Sequence, residues 1–373
     1  MQTLLQSQVS EFEKARIRLS PNVPILPRTK SAFLNTPRIR FIERFKPSIG
    51  AAWVDAASDK GAIEIINSDR SLIISGDDET VSTASQPSLV WLMLDLLRIE
   101  CGMVVYEIET GTGWSTALAG QLVGHDGAVY SSEIEEMLAH QATLRMIRFG
   151  MPQVIIKCTA GDFEWADRYA DRIIYTASTF SPHESTIARS TEQCNAVFVF
   201  QRIGLADAIV SANRHRDSFV SDKIVPCFFL SMRKNTGDLR ADDDQKTATV
   251  SHKLIDWNLS GTFSVSDFVH WLGLSWNTLS GSSKLTFRRE RYHSLILANF
   301  NSGYLRLSSN NIEVVGDFDD VDIVRLWWHQ WVAAGAPSVL DYRLTISKPP
   351  RGAPLPRRTE LRNDWHFSWI RVN

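Results

Sequence analysis

The chain has 373 residues, more than one hydrophobic core usually organises, so two domains are expected. Hydrophobic residues make up 44% of the sequence and charged residues 22%, a balance typical of a globular protein. The formal net charge is −2, so nothing in the overall charge indicates a nucleic-acid partner or an anionic membrane surface.

The cysteines predict reduced thiols rather than a disulfide framework. The four of them are scattered, and no pair has metal-ligand spacing: Cys101, Cys158, Cys194 and Cys227. The first twenty residues carry several charges and no long apolar core, and no run in the chain is long enough to span a bilayer. We therefore expect a cytoplasmic protein with neither a signal peptide nor a membrane anchor.

Residues up to about 230 predict alternating helices and strands. Apolar residues recur at helical spacing in residues 4–19, 88–97 and 137–149, and Gly150 can end the last of these helices. Prolines 21, 24 and 27 predict an extended linker after the first helix. Apolar strands are predicted at residues 104–108, 128–132, 154–158 and 172–176. This alternation predicts an α/β fold with a doubly wound sheet, whereas residues 56–70 give no clear pattern.

The pattern changes after residue 230. A polar stretch at 233–246 predicts a boundary loop, and short β-like runs follow at 295–298, 304–307, 312–315 and 343–346, with one helix at 321–334. Three tryptophans of that helix, Trp327, Trp328 and Trp331, are expected in a core more often than on a binding surface. We predict three segments: an N-terminal helix and linker (1–30), a doubly wound domain (31–232) and a mainly β C-terminal α+β domain (233–373).

The most informative stretch is the glycine turn that follows the strand at 104–108. It reads Glu109-Thr110-Gly111-Thr112-Gly113-Trp114, precedes a helix, and is followed by a second strand that ends on the acid Glu133. Open parallel sheets bind nucleosides in this way. The glycines let the backbone come close to the ligand, and the acid accepts hydrogen bonds from the ribose hydroxyls. Ordinary βα turns also contain Gly-x-Gly, and Glu133 could be a solvated loop acid.

A third strand end adds to this pattern. Gly161 and Asp162 follow the strand at 154–158, where Asp162 could meet an adenine amino group or could simply form a turn. All three segments lie at carboxyl ends of strands, the edge at which open α/β sheets bind ligands. The sequence therefore predicts a nucleoside-binding site.

These motifs, taken in order, resemble the protein-L-isoaspartate O-methyltransferases. The similarity is greatest to longer bacterial members that have an extra C-terminal domain and often act beside ribosomally synthesised, modified peptides. The segments that carry the resemblance are 36–41 (a Pro-Arg-x-x-Phe element), 85–88 (a Ser-x-Pro substrate loop), 107–114, 129–135, 161–162, 169–177, 224–229 and the tryptophan helix with residues 335–346. The resemblance implies a Rossmann-like methyltransferase domain at 31–232.

The resemblance also implies a reaction and its participants. The donor would be S-adenosylmethionine, leaving as S-adenosylhomocysteine, and the acceptor an aspartate or isoaspartate carboxylate in a peptide or protein, with no metal, nucleic acid or membrane involved. Ser85 would orient the carboxylate as the catalytic residue, although it could instead cap the helix that starts near Ser88. Thr83, Gln86 and Thr176 would contact the substrate. Residues implied to bind the donor are Glu107, Glu109, Thr110, Gly111, Gly113, Trp114, Glu133, Ile134, Gly161 and Asp162.

Two departures from the family pattern are visible in the sequence. Glu109 stands where the family has the first glycine of the donor motif, and its carboxylate would crowd the donor's amino-acid end. The family's later Pro-Gly-Gly turn is absent from residues 188–200. Two other hypotheses therefore remain open: a non-catalytic descendant that binds a peptide or a partner enzyme, and a related enzyme that uses the pocket for another nucleophile.

Overall fold

The computed structural model describes residues 2–48, 50–57, 59, 61–76, 81–203, 206–227, 252–254, 267–268, 271–272, 286–289, 295–299, 303–307, 312–316, 321–348, 359–362 and 364–372. The chain forms two compact units. Unit 1 comprises Met1–Val199, Ile209–Phe219 and Phe229–Asn235, and unit 2 comprises Phe200–Ala208, Val220–Phe228 and Thr236–Asn373. The predicted boundary loop at 233–246 lies outside the described residues, as do positions 228 and 229 of the last motif strand.

Unit 1 begins with helices and two small antiparallel sheets. The helices are α1 (Gln2–Leu19), α2 (Pro27–Asn35) and α3 (Ala62–Ile66), with a 3₁₀ helix at Arg38–Phe41. The paired strands are β1 (Arg44–Phe45) with β2 (Val54–Asp55), and β3 (Leu72–Gly76) with β4 (Val81–Ala84). The first helix is confirmed. The prediction of a linker through Pro27 was wrong, because Pro27 is the first residue of α2, where the missing N–H of proline costs nothing.

A doubly wound parallel sheet forms the centre of unit 1, as predicted. Its strands are β5 (Val104–Ile108), β6 (Ala128–Glu133), β7 (Val154–Cys158), β8 (Ala170–Tyr175) and β9 (Ser190–Ile203), in the order β7-β6-β5-β8-β9. The helices are α4 (Pro87–Leu97), α5 (Trp114–Val123), α6 (Glu136–Arg148) and α7 (Glu184–Ala188). Every residue of β5 and β6 is buried, as expected for parallel strands covered on both faces.

The topology places a ligand site beside β5. From β5 the chain moves outward to β6 and β7 and then returns to β8 on the other side of β5. Strand order therefore reverses between β5 and β8, which is the switch point where open α/β sheets bind ligands. The alternation of helix and strand breaks once, because residues 159–169 form a loop in place of a helix. Phe163 of that loop stacks on Tyr106 of β5 at 4.3 Å and covers the sheet there.

Strands β10 (Ala206–His215) and β11 (Ser218–Cys227) follow β9. Unit 2 has a five-stranded antiparallel sheet and a second group of three strands that pair with one another antiparallel. The first has the order β12-β16-β15-β14-β13, with strands His252–Leu254, Ile312–Gly316, Gly303–Leu307, Leu295–Asn299 and Thr286–Arg289. The second has the order β18-β19-β17, with strands Thr359–Arg362, Trp365–Arg371 and Tyr342–Ser347.

The described helix of unit 2 that carries the tryptophans is α8 (Val321–Ala333). Trp327, Trp328 and Trp331 are all buried, and the ring centroids of Trp328 and Trp331 lie 4.9 Å apart. They are core residues, as expected, and the mainly β character predicted for this region is confirmed. Within the described ranges, no helix is both long enough and apolar enough to cross a membrane.

Candidate functional site

A cavity opens at the carboxyl ends of β5, β6 and β8. It holds about 840 Å³ of empty space, part of it open to solvent. Four segments of unit 1 line it: β4 with the loop after it, the buried face of α4, the glycine turn, and the ends of β6 and β8. The described lining residues are Val81, Ser82, Thr83, Ala84, Ser85, Val90, Met93, Glu109, Thr110, Gly111, Thr112, Trp114, Ser115, Glu133, Ile174, Thr176 and Ala177.

The two glycines of the turn serve different purposes. Both have left-handed backbones, with φ of +54° at Gly111 and +83° at Gly113. A Cβ on Gly113 would lie 3.1 Å from Ala142 Cβ and 3.2 Å from Met146 Cε, so this glycine lets α5 begin tightly against α6. Gly111 has no such close neighbour and lines the cavity itself. Gly113 therefore shapes the turn from behind, whereas Gly111 is placed to approach a ligand.

Glu109 keeps the backbone shape that glycine would favour at its position. Its φ is +74°, a conformation that costs a non-glycine residue about 1–2 kcal/mol. The main chain is held on both sides, because the Glu109 N–H donates to Ser132 O at 2.9 Å and the Thr176 hydroxyl donates to Glu109 O. The departure from the family pattern therefore adds a side chain at the cavity on a backbone conformation that glycine adopts without strain.

Glu133 is buried, with 2% of its surface exposed, and lines the cavity. Its two carboxylate oxygens accept backbone N–H groups, Oε2 from Gly111 at 2.7 Å and Oε1 from Glu135 at 2.9 Å. Burial raises the pKa of Glu133, and these two N–H donors oppose the rise. A solvated loop acid would not be enclosed in this way, and each oxygen keeps a lone pair that a ligand hydroxyl could use.

Glu107 is enclosed below the cavity rather than exposed to it. Its carboxylate accepts hydroxyl hydrogen bonds from Ser115 at 2.6 Å, from Thr116, and from Ser131 at 2.8 Å. These bonds tie β5 to the start of α5 and to β6. Burial raises the pKa of Glu107 to about 7, and the three hydroxyl donors oppose the rise.

The raised pKa of Glu107 predicts a particular dependence of stability on pH. Because the folded state holds the proton more tightly than the unfolded chain, the stabilising contribution is complete below pH 4.5 and is lost as the pH rises to about 7. The loss should amount to roughly 3 kcal/mol. Urea unfolding measures the free energy of unfolding of the wild type and of Glu107→Gln at several pH values in this range. The difference between the two free energies should change with pH, and a constant difference would contradict the prediction.

The Ser85 hydroxyl lines the cavity and makes no hydrogen bond to the protein in the described structure. It does not cap α4, whose first turn is held by the carboxylate of Asp69 instead. That carboxylate accepts the backbone N–H and the hydroxyl of Ser88, both at 2.8 Å, and the side-chain amide of Gln86 at 3.0 Å. Ser85 is thus left available for a ligand, and Gln86 is engaged away from the cavity.

Arg38, in the Pro-Arg-x-x-Phe element, organises the loop that carries Ser85. Its guanidinium is buried and donates to five backbone carbonyls, those of Ile66, Ser68, Arg70, Ala84 and Ser85, at 2.9–3.3 Å. Burial lowers the pKa of Arg38 to about 9, so the group stays protonated at neutral pH. The sequence element signals this residue, but its partners could not be foreseen.

Trp114 connects the same element to the glycine turn. Its indole N–H donates to Thr36 O at 2.9 Å, and the Arg38 guanidinium lies 5.5 Å from the centre of its ring. Thr110 is tied to β6, since its hydroxyl lies 2.6 Å from that of Ser131. Both residues line the cavity.

The cavity brings together most, but not all, of the residues that the sequence singled out. Thr83 and Thr176 line it from opposite segments, and the Thr176 hydroxyl also donates to Ile108 O at 2.9 Å. The Asp162 carboxylate accepts the N–H of Glu164 at 2.9 Å, as a turn aspartate does. Residues outside the lining are Gln86, Glu107, Gly113, Ile134, Gly161 and Asp162, and lining residues that the sequence did not single out are Val81, Ser82, Ala84, Val90, Met93, Thr112, Ser115, Ile174 and Ala177.

Comparison with known proteins identifies the relatives of this chain. Residues 25–187 match the family model of protein-L-isoaspartate(D-aspartate) O-methyltransferase. Protein-L-isoaspartate O-methyltransferase 2 of Polaromonas sp. is 32% identical over 158 residues, which are 40% of this chain and 71% of that protein. The enzyme of Thermotoga maritima is 32% identical over 130 residues, which are 35% of this chain and 36% of that protein. The matched part of this chain thus spans little more than a third of the Thermotoga protein.

A solved protein-L-isoaspartate O-methyltransferase structure superposes on 93% of this chain and 96% of its own, with a TM-score of 0.55 and 20% identity. The sheet order, the glycine turn and the buried acid at the end of β6 define a doubly wound α/β protein of the Rossmann-like methyltransferase type. More narrowly, the chain belongs to the protein-L-isoaspartate O-methyltransferase family.

Proposed function

We propose that this protein is an S-adenosylmethionine-dependent O-methyltransferase that esterifies an aspartate or isoaspartate carboxylate in a peptide or protein. The observation that carries the proposal is the cavity itself, which places an unbonded serine hydroxyl opposite a glycine turn and a buried acid. Family membership supports the reaction type. The location that we propose is the cytoplasm, supported by four cysteines that are free thiols, of which Cys101 and Cys158 are exposed.

The residues present fit a nucleoside-containing donor. Gly111 leaves room for a ligand beside its backbone, and the Glu133 carboxylate retains lone pairs at the end of β6, so these two residues would hold the donor's ribose end. When bound, the donor supplies a methyl group on a positively charged sulfur. Asp162, outside the described lining, would contact the donor only at the periphery of the site.

The protein's own part in the reaction is to position and desolvate. A carboxylate is already a nucleophile at neutral pH, so no base or metal is needed to activate it. The Ser85 hydroxyl would donate to one carboxylate oxygen and leave the other directed at the methyl group. The apolar side chains of Val90 and Met93, contributed by α4, exclude water from that region. The next backbone nitrogen then attacks the carbonyl carbon of an aspartate ester and expels methanol, which gives an aspartimide. Water opens the aspartimide to isoaspartate or aspartate.

A direct assay tests the proposal. The full chain is incubated with S-adenosylmethionine and with matched peptides that contain aspartate, isoaspartate or asparagine at one position, and methyl esters are detected by mass spectrometry. Ester formation on an aspartate or isoaspartate peptide, but not on the asparagine peptide, is expected. Calorimetric binding of the donor without ester formation on any peptide would instead support the non-catalytic hypothesis, which the intact turn geometry does not favour.

Donor binding should depend on Glu133. Replacing Glu133 with alanine removes the acceptor for ribose hydroxyls and should weaken the binding of S-adenosylhomocysteine by about 1.5–3 kcal/mol. Isothermal titration calorimetry measures the change. Glu136→Ala, an exposed acid at the start of α6, is the matched control and should bind like the wild type. Equal affinity of Glu133→Ala and the wild type would remove the ribose assignment.

A further inference from the structure

Helix α6 carries large apolar side chains on its solvent-facing side. Met137, Leu144 and Ile147 are 63%, 40% and 69% exposed. Together with the exposed His140 they recur at intervals of three and four residues, so the four side chains form one stripe along the helix. Single exposed apolar residues are ordinary on a protein surface, but a contiguous group of them indicates an interaction surface.

The opposite face of α6 is already packed inside unit 1. Ala142 and Met146 lie against the glycine turn, since a Cβ on Gly113 would come within 3.1 Å and 3.2 Å of their side chains. From the same face, the Arg145 side chain donates to Thr112 O at 3.1 Å. Because the apolar stripe lies on the other side of the helix, a body that covers the stripe leaves the cavity open.

An apolar groove adjoins the stripe. It holds about 670 Å³ of empty space, part of it open to solvent, between the C-terminal half of α6 and β7. None of its described lining residues is charged, and apolar side chains such as Ile147, Met151 and Ile156 form most of it. Because Ile147 belongs to both the stripe and the groove, the two form one continuous apolar surface, which we call the α6 surface.

The charges at the two ends of α6 make this surface complementary to itself. Glu136 is the first residue of the helix and Arg148 the last, and both are exposed. A second copy that lies antiparallel places the acidic end of each helix over the basic end of the other, whereas a parallel copy places like charges together. The stripe has the same symmetry, because its four positions are spaced three, four and three residues apart.

We propose that the α6 surface binds the α6 surface of a second copy of this chain, antiparallel about a two-fold axis near Ala142, and so forms a homodimer. Met137 of one copy then lies level with Ile147 of the other, and His140 level with Leu144. A helix of this length extends about 20 Å. Specific interfaces usually bury about 1,600 Å² in total, so a contact centred on one such helix gives a weak, concentration-dependent dimer.

Sedimentation velocity of the full chain over a hundredfold range of concentration tests the proposal. The wild type should change from monomer to dimer as the concentration rises. Ile147→Asp places an acid level with the apolar Met137 of the second copy and beside its Glu136, and should weaken dimerisation at least tenfold. Ile63→Asp is the matched control, because Ile63 is 44% exposed on α3 and should dimerise like the wild type. Urea unfolding checks that both variants fold.

Charge reversal tests the antiparallel arrangement. Glu136→Arg makes both ends of α6 basic, and Arg148→Glu makes both ends acidic. Each variant alone should dimerise about tenfold more weakly than the wild type, since like charges then meet at two symmetric places. An equimolar mixture of the two variants should dimerise like the wild type, because the basic ends of one variant lie over the acidic ends of the other.

Three results would overturn the inference. If the wild type is a monomer at every concentration, the α6 surface fits a partner of another kind. If Ile147→Asp dimerises as tightly as the wild type, the two copies meet elsewhere. If the mixture of charge variants stays as weak as each variant alone, the pairing is not antiparallel. Ile147→Asp should bind S-adenosylhomocysteine like the wild type, since the stripe lies away from the cavity, so none of these results decides the proposed function.

Discussion

The Ser85→Ala variant is expected to form methyl esters about two orders of magnitude more slowly than the wild type, with little loss of stability. The Ser85 hydroxyl makes no hydrogen bond within the described protein, so its removal leaves no buried partner unsatisfied. A carboxylate that is no longer oriented loses the alignment on which methyl transfer depends, and small misplacements of reacting groups cost about a hundredfold. The free energy of unfolding should change by less than about 1 kcal/mol.

Ser88→Ala supplies the matched control for Ser85→Ala. The Ser88 hydroxyl lies in the first turn of α4, the helix that follows Ser85. It is buried and donates to Asp69 at 2.8 Å. Its removal should cost about 1–2 kcal/mol of stability, with a much smaller effect on the rate of the folded enzyme. Steady-state rates with saturating peptide, together with urea unfolding, distinguish the two variants. Unchanged ester formation in Ser85→Ala would end the assignment of Ser85 as the carboxylate-orienting residue.

The central sheet was predictable because its signals are local. Parallel strands buried on both faces are largely apolar runs, and the strand predicted at 104–108 coincides with β5, whose residues are all buried. The glycine turn and the acid after β6 were predictable for the same reason, since the ligand-binding edge of such a sheet follows from strand direction. The long strands β9 and β10 were not predicted, because residues 188–200 mix polar and apolar positions without clean alternation.

The arrangement of side chains around the cavity depends on contacts between residues that are far apart in the chain. Local sequence patterns do not predict such contacts. Glu107 lies in a strand that is buried on both faces. The sequence pattern therefore could not predict whether its carboxylate contacts the ligand or the buried hydroxyls of neighbouring elements, such as that of Ser131. The helix that follows Ser85 is capped by Asp69, nineteen residues away. A positive φ at Glu109 is likewise invisible in the sequence, because glutamate rarely adopts one.

Arg38 is the residue whose replacement should have the largest effect on stability. The Arg38→Met variant keeps an unbranched side chain but leaves five backbone carbonyls, in the stretches 66–70 and 84–85, without their donor. Buried acceptors that lose a charged partner cost about 3–5 kcal/mol in total, since the loss of one member of a buried charged network is of this size. Arg40→Met is the matched control: Arg40 is exposed and lies over the Phe149 ring at 5.8 Å, so its loss should cost less than about 1 kcal/mol.

Arg38→Lys separates positioning from folding. A lysine at this position keeps the positive charge but has three donors on one nitrogen, so it cannot reach all five carbonyls that the planar guanidinium joins. The variant should fold with reduced stability, and the loop that presents Ser85 should lose its fixed position. Because Arg38 makes no hydrogen bond to the glycine turn, kcat should fall by at least about tenfold while the affinity for S-adenosylhomocysteine changes far less. A merely structural Arg38 would lower stability and leave the kcat of the folded fraction intact, and that result would contradict a positioning role for this buried guanidinium.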